Sequence, residues 1–324
     1  MTAHAKAEIL LLKAILPDTI RALDERFVLH RLDRSTDRDA FLAEVGPAIR
    51  GVVVGGQAPA GADLFARLPA LEIVANFGVG YDTIDVAAAK GRGAVVTNTP
   101  DVLTEEVADL ALGLLLATVR RIPQADRYLR AGAWPKAPFP LSPSLRGRRI
   151  GILGLGRIGH AIATRLDGFG CAIAYHGRRR QPAVAYDYHP SAVELARACD
   201  VLVVVAPGGG AGPLVTAEVL GALGPDGILI NVARGSLIDE PALIAALEQG
   251  VIHSAGLDVF ANEPRVPDAL VALDNVVLLP HVGSATHHTR RAMGNLLVDN
   301  LVSWFEGRGP VTPVAETPWP PSAA

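Results

Sequence analysis

The sequence predicts an α/β protein built from two doubly wound parallel-sheet domains. Short apolar runs alternate with helix-length segments almost throughout the 324 residues, the rhythm of βαβ units. Several of those runs, such as Val201 to Ala206, are continuously apolar, which suits strands covered on both faces. Such runs are also too numerous for one open sheet in a chain of this length, so the chain divides in two.

The first group of strands is expected at Glu8 to Leu12, Arg26 to Leu29, Gly51 to Val54, Glu72 to Asn76 and Ala94 to Thr97. The second group is expected at Arg149 to Leu153, Ala172 to His176, Val201 to Ala206, Gly227 to Val232, His253 to Val259 and Val276 to Leu279. Thr99-Pro100 marks the boundary, because proline disfavours helix before it and can begin one itself. A long helix should follow from Asp101 to about Arg121, with Val107, Leu110, Ala111, Leu114 and Leu115 at helical spacing. A second long helical pattern, Thr286 to Glu306, can carry the chain back to the first domain. Residues 1–99 with 286–324 therefore form one domain and 100–285 the other. Pro135 to Pro143 reads as a surface connection, and the Pro-rich tail from Gly309 as an extended strap.

Composition narrows the function. Half the residues are apolar and 19% are charged, which excludes a disordered chain. With 30 Lys and Arg against 33 Asp and Glu, no global field draws the protein to nucleic acid or to a membrane. Leu110 to Val119 is too short to span a bilayer, and Lys13 interrupts the apolar start at Ile9 to Leu12. Two cysteines, Cys171 and Cys199, make no disulfide framework and point to a reducing, cytoplasmic setting.

The chemistry-bearing motif is Gly154-Leu155-Gly156-Arg157-Ile158-Gly159, entered from a strand and opening a helix. Gly154 serves the tight turn, Gly156 the close approach of a pyrophosphate, and Gly159 the packing of helix on strand. Leu155, Gly156, Arg157 and Ile158 are thus candidates to cradle a dinucleotide against the helix N-terminus. The next strand ends in His176-Gly177-Arg178-Arg179-Arg180, where an NAD-binding chain would carry an acidic residue. A guanidinium there suits a 2′-phosphate, so NADPH is expected over NADH; a merely solvated basic turn is the alternative.

Three later segments place polar residues at strand ends: Asn231 to Gly235, Leu257 to Pro264 and Leu279 to Thr286. An Arg, a Glu and a His in that order suit reduction of a 2-oxo acid. Arg234 can hold the carboxylate, His281 can protonate the carbonyl oxygen, and Glu263 can orient and charge the imidazole. Asn76-Phe77-Gly78-Val79-Gly80 offers backbone N–H groups to an anion at another strand end. For each polar residue a plain structural role was the competing reading, with Arg234 paired to Asp239 as one example. The adjacent His287 and His288 point to different sides of a helix and lack a companion cluster, so no metal is expected.

These motifs together resemble the D-isomer-specific 2-hydroxyacid dehydrogenase family over nearly the whole chain. The resemblance implies a flavodoxin-like substrate domain and a Rossmann dinucleotide-binding domain. It implies that Arg234, Glu263 and His281 are the catalytic trio, and that Phe77, Gly78, Val79, Gly80 and Ser284 meet substrate together with Arg234 and His281. Cofactor contacts are implied for Thr104, His176, Gly177, Arg178, Arg179, Ala206, Pro207, Val232, Ala233, Asp258 and Gly283. Gly208-Gly209-Gly210 departs from the family's usual pattern after Pro207. Within the family the Arg-rich turn resembles bacterial NADPH-dependent glyoxylate/hydroxypyruvate reductases. Gly132-Ala133-Trp134 matches a segment whose Trp reaches into a partner's site, which implies a homodimer. Phe77 and Trp134 imply a small, nearly uncharged substrate pocket. Another dehydrogenase of the superfamily remains an alternative, as does a dinucleotide-sensing corepressor built on the same fold.

Overall fold

A computed structural model of the chain describes residues 6–210 and 212–320. The chain separates into two units, Met1–Leu103 with Thr286–Ala324, and Thr104–Ala285. Each is organised around a parallel sheet whose central strands are buried on both faces, which explains their continuous apolar runs.

The first unit contains β1 (Glu8–Leu11), β2 (Val28–Arg31), β3 (Ile49–Val54), β4 (Ile73–Asn76) and β5 (Val95–Thr97). Their order, β2-β1-β3-β4-β5, is the flavodoxin-like winding. The strand expected at Arg26 to Leu29 begins two residues later. Pro17–Arg26 is a helix that leads into it, and the Arg26 guanidinium donates to the Ala22 carbonyl in that helix's last turn.

The returning helix, His287–Phe305, lies against the helix Pro17–Arg26. Gly294 makes that approach possible, since a Cβ there would lie 2.1 Å from Thr19 Oγ1. The tail then straps the edge of β5: Val314 N–H donates to the Val96 carbonyl, and Val96 N–H donates to Thr317 Oγ1. Buried Asn300 ties helix to strap by accepting the N–H groups of Val311 and Thr312 while donating to the Leu296 carbonyl.

The second unit contains β6 (Arg149–Leu153), β7 (Ala172–His176), β8 (Asp187–Tyr188), β9 (Val201–Val204), β10 (Ile228–Asn231), β11 (Ser254–Leu257) and β12 (Val276–Leu278). The order β12-β11-β10-β9-β6-β7-β8 puts the reversal of winding between β6 and β9. The two-residue β8 lacked an apolar run and gave no strand signal in the sequence.

The helix expected from Asp101 to about Arg121 spans Thr104–Val119. It is terminated by Arg121 in a left-handed conformation (φ 52°), after which a separate helix, Ile122–Arg130, begins at the Pro123 turn. That second helix closes the sheet edge: buried Gln124 donates to the carbonyls of Asp274 and Val276 beside β12.

Asn300→Ala should leave the amides of Val311 and Thr312 without their buried acceptor, at a cost of about 1–3 kcal/mol. The expected outcome is a lower thermal midpoint together with faster hydrogen exchange at Val314. Unchanged exchange there would show that the strap is held without Asn300.

Candidate active site

Functional groups of open α/β sheets gather at the carboxyl ends of the strands. In the second unit β10, β11 and β12 are consecutive neighbours, so the loops that leave them must lie side by side. Those loops carry Arg234, Glu263 and His281. The structure brings the last two into contact: His281 Nδ1 lies 2.7 Å from Glu263 Oε2. The other carboxylate oxygen, Glu263 Oε1, accepts the Phe260 N–H at 3.0 Å.

Burial opposes ionisation of Glu263. The hydrogen bonds from His281 and the Phe260 amide outweigh it, with the charges of His281 and Arg234 adding to them, so the carboxyl sits below its usual range. The favourable contribution of this carboxylate is present above its unfolded pKa and disappears only as pH falls through the lowered folded value.

The Arg234 loop is shaped by two neighbours. Asn231 is fully buried; its side-chain oxygen accepts the Ala233 N–H and its amide donates to the Arg234 carbonyl. Gly235 then passes so close to the next loop that a Cβ would lie 1.9 Å from the Phe260 carbonyl carbon. The backbones bearing Arg234 and Glu263 are thereby locked together. Asp239, an alternative partner considered for Arg234, caps the following helix by accepting the Ala242 N–H.

His281 is a rare non-glycine residue with positive φ (54°), a backbone conformation costing about 1–2 kcal/mol. Asp258 holds it there. The His281 N–H donates to the Asp258 carbonyl, and the Val282 and Gly283 N–H groups each donate 2.8 Å to the Asp258 carboxylate. Burial raises the pKa of Asp258 against the pull of those two amides. Gly283 is needed where it stands, because a Cβ would come within 3.2 Å of Asp258 Oδ2. Ser284 is half-buried just beyond.

At the switch point the glycine triplet divides its work. Gly154 takes φ 106° and packs on the end of β9, where a Cβ would lie 2.6 Å from Ala206 Cα. A Cβ on Gly159 would lie 2.3 Å from the Gly154 carbonyl oxygen. Gly156 alone faces open space, at the N-cap of the helix Arg157–Asp167. This is the cradle a pyrophosphate needs, and the donor set fits a dinucleotide. Thr104 opens the helix Thr104–Val119, which Arg165 ties to the phosphate helix through Asp109 (2.6 Å) and Glu105 (2.8 Å). Leu155, Val232 and Ala233 are buried, Ile158 and Ala206 half-buried, and Arg157 and Pro207 exposed.

The basic turn after β7 is clamped rather than loose. His176 Nδ1 meets the His189 carbonyl (2.8 Å), and the Tyr188 ring stacks beside the imidazole while its hydroxyl donates to the Gly177 carbonyl. Arg178, Arg179 and Arg180 point into solvent. Gln181, which sequence reasoning passed over, closes the turn. Its N–H donates to the buried Tyr175 hydroxyl, its side-chain amide donates to the Leu155 carbonyl at 2.7 Å, and its Oε1 lies 3.2 Å from His160 Nε2. In a trans peptide the N–H points opposite the carbonyl, so Gln181 also aims the Gly156 N–H outward. A polar residue directly after an arginine run was the available signal.

In the first unit the loop after β4 presents its amides by the same logic. Asn76 donates to the Gly78 and Gly80 carbonyls, Asn98 to the Val79 carbonyl, and Thr99 N–H to the Gly78 carbonyl. The N–H groups of Val79, Gly80 and Tyr81 consequently face the other way. Phe77 is buried, and the Arg290 guanidinium sits 5.8 Å above its ring. The expectation of nearly uncharged surroundings for Phe77 is therefore corrected. Trp134 is 66% exposed and lies in a turn after the helix Ile122–Arg130.

The family model for the D-isomer specific 2-hydroxyacid dehydrogenase NAD-binding domain matches residues 112–283. The chain belongs to that family. By that family this dehydrogenase is an NAD(P)-binding oxidoreductase.

A crystal structure of the NADPH-dependent glyoxylate/hydroxypyruvate reductase from Sinorhizobium meliloti, in complex with NADP and malonate, is 53% identical with a TM-score of 0.92. The match covers 97% of this chain and 98% of that one. Hydroxyphenylpyruvate reductase of Plectranthus scutellarioides is 49% identical over 296 residues, 90% of this chain and 94% of the relative. Glyoxylate/hydroxypyruvate reductase A of Arabidopsis thaliana is 49% identical over 293 residues, 90% and 94% respectively. Among the described residues, no helix of this dehydrogenase is long and apolar enough to cross a membrane.

Gln181→Met keeps the length of the side chain and removes both hydrogen bonds. It should weaken dinucleotide binding about tenfold, read as Kd by nucleotide fluorescence titration. An unaltered Kd would show that the Leu155 peptide is oriented without it.

Proposed function

We propose that this dehydrogenase reduces small 2-oxo acids, glyoxylate to glycolate and hydroxypyruvate to D-glycerate, with NADPH as reductant and His281 as proton donor. The observation that carries the reading is the 2.7 Å pair of His281 Nδ1 with a half-buried Glu263 whose pKa is lowered, one strand end from Arg234. With Nδ1 committed to the carboxylate, Nε2 is the nitrogen left for the substrate. The bound reduced nicotinamide supplies hydride to the carbonyl carbon.

The residues of the chain do the rest. Arg234 takes the substrate carboxylate in a bidentate grip, and the outward amides of Val79 and Gly80, with Phe77 and Gly78, are likewise assigned to substrate. As negative charge develops on the carbonyl oxygen, His281 Nε2 releases its proton to it, and Glu263 offsets the imidazolium charge before that transfer. Ser284 is assigned to the substrate's other oxygens. Each oxygen of Asp258 keeps a further lone pair beyond its backbone donor, enough to accept a carboxamide N–H. Thr104, Val232, Ala233, Ala206, Pro207 and Gly283 complete the cofactor's contacts.

Support for NADPH comes from the acid-free turn of Arg178 and Arg179, and from the NADPH dependence of the Sinorhizobium meliloti relative. A homodimer is part of the proposal, with Trp134 reaching the partner's site; Ile122, Leu129 and Leu141 expose further apolar surface in the same region of the chain. A reducing cytoplasm as the setting is part of the proposal, on the strength of two cysteines that are both free.

Initial rates of NADPH and NADH oxidation with glyoxylate and hydroxypyruvate test the proposal. NADPH should have the higher kcat/KM, and changing Arg178 and Arg179 together to Ser should cut that advantage by about tenfold or more. Equal kcat/KM for the two coenzymes in the unaltered enzyme would refute the preference.

His281→Gln should lower kcat by about a hundredfold or more while the Kd for NADPH stays within a few-fold. Near-normal turnover would remove His281 as the acid.

A further inference from the structure

Arg290 is placed where a charge is expensive. It stands one turn into the helix His287–Phe305, whose N-terminus is fixed by Thr286 Oγ1 accepting the Thr289 N–H. Residues three, four and seven positions further on, Met293, Gly294 and Leu297, are all buried, so Arg290 continues the inward face of the helix. Its guanidinium lies over the Phe77 ring, and among the described residues no carboxylate is recorded within ion-pair distance of it. Burial lowers its pKa, with no opposing charge to restore it.

Other arginines of the same unit are satisfied: Arg50 reaches Glu72, Arg31 reaches Asp33, and Arg67 reaches Asp39. A half-buried guanidinium left without an anion is a cost that folding does not require, since a methionine would pack on Phe77 as well. It becomes useful when an anion or a hydroxyl arrives from outside. The adjacent loop offers the amides of Val79 and Gly80, which can accommodate one carboxylate group. The Arg290 guanidinium is a second donor beside that loop.

We infer that Arg290 is a specificity-determining cation for the substrate, favouring 2-oxo acids whose third carbon bears a hydroxyl or a carboxylate over those with a bare alkyl group. This rests on the proposed reduction of 2-oxo acids and adds a substrate class to it. Glyoxylate, which has no third carbon, gains nothing from the contact. Hydroxypyruvate gains a charge-assisted hydrogen bond that pyruvate lacks.

The test compares kcat/KM for hydroxypyruvate and pyruvate, with NADPH, in the full-length enzyme and in Arg290→Met and Arg290→Lys. The unaltered enzyme should favour hydroxypyruvate, Arg290→Met should reduce that ratio about tenfold, and Arg290→Lys should recover part of it. A ratio that stays constant in both variants while activity towards the two acids falls together would mean that Arg290 only braces Phe77, and would overturn the inference. Should Arg290→Met fail to fold, an unshifted ratio in Arg290→Lys would overturn it equally. If the unaltered enzyme oxidises NADPH with none of the 2-oxo acids, the underlying reaction fails first and the inference falls with it, an outcome distinct from a constant ratio.

Discussion

The buried carboxylate of Asp258 is the constraint on which the catalytic loop depends. A left-handed histidine is unfavourable on its own, and three hydrogen bonds from consecutive N–H groups to one aspartate hold His281 in that conformation. The same turn fixes the imidazole at the distance where Glu263 can bind Nδ1. Were the loop to relax to a right-handed conformation, the ring would swing away and Glu263 would lose its imidazole partner. Asp258 is buried and Glu263 half-buried, and their pKa values move in opposite directions. Burial dominates at Asp258, whose partners are neutral amides; at Glu263 the partners include cations.

Backbone proximity supplies the second level of order. The loops after β10 and β11 touch at Gly235, and the loop after β6 touches the end of β9 at Gly154. In both places a side chain is excluded because another main chain occupies its volume. This differs from Gly156, where the missing side chain leaves room for a ligand instead. One motif thus contains glycines kept for packing and a glycine kept for access.

Much of this was legible in the sequence because it is local. The strands are runs of apolar residues, the glycine triplet is contiguous, and Arg234, Glu263 and His281 each follow a strand within a few residues. What escaped the sequence depends on contacts between distant segments. Gln181 matters because a side chain after β7 reaches a carbonyl after β6, and Arg290 because a helix near the end of the chain lies over a loop after β4. Neither partner can be inferred from spacing. β8 was missed for a related reason: Asp187 disfavours strands, two residues are too few to show an alternating pattern, and the segment is organised by pairing with β7.

The two units carry different kinds of polar loop at their strand ends. The loop after β4 relies on peptide dipoles, which have no titration and little freedom once Asn76 and Asn98 have fixed the carbonyls. Peptide N–H groups of this kind do not change charge with pH and cannot take part in proton transfer. The loops after β10, β11 and β12 rely on full charges in a partly buried setting, where the state of each group depends on its neighbours. A reaction that consumes a proton needs the second kind of site, because some group must change charge as the carbonyl oxygen does. Glu263 is held ionised, and His281, whose Nδ1 lies on that carboxylate, is the group to which the proposed proton transfer is assigned.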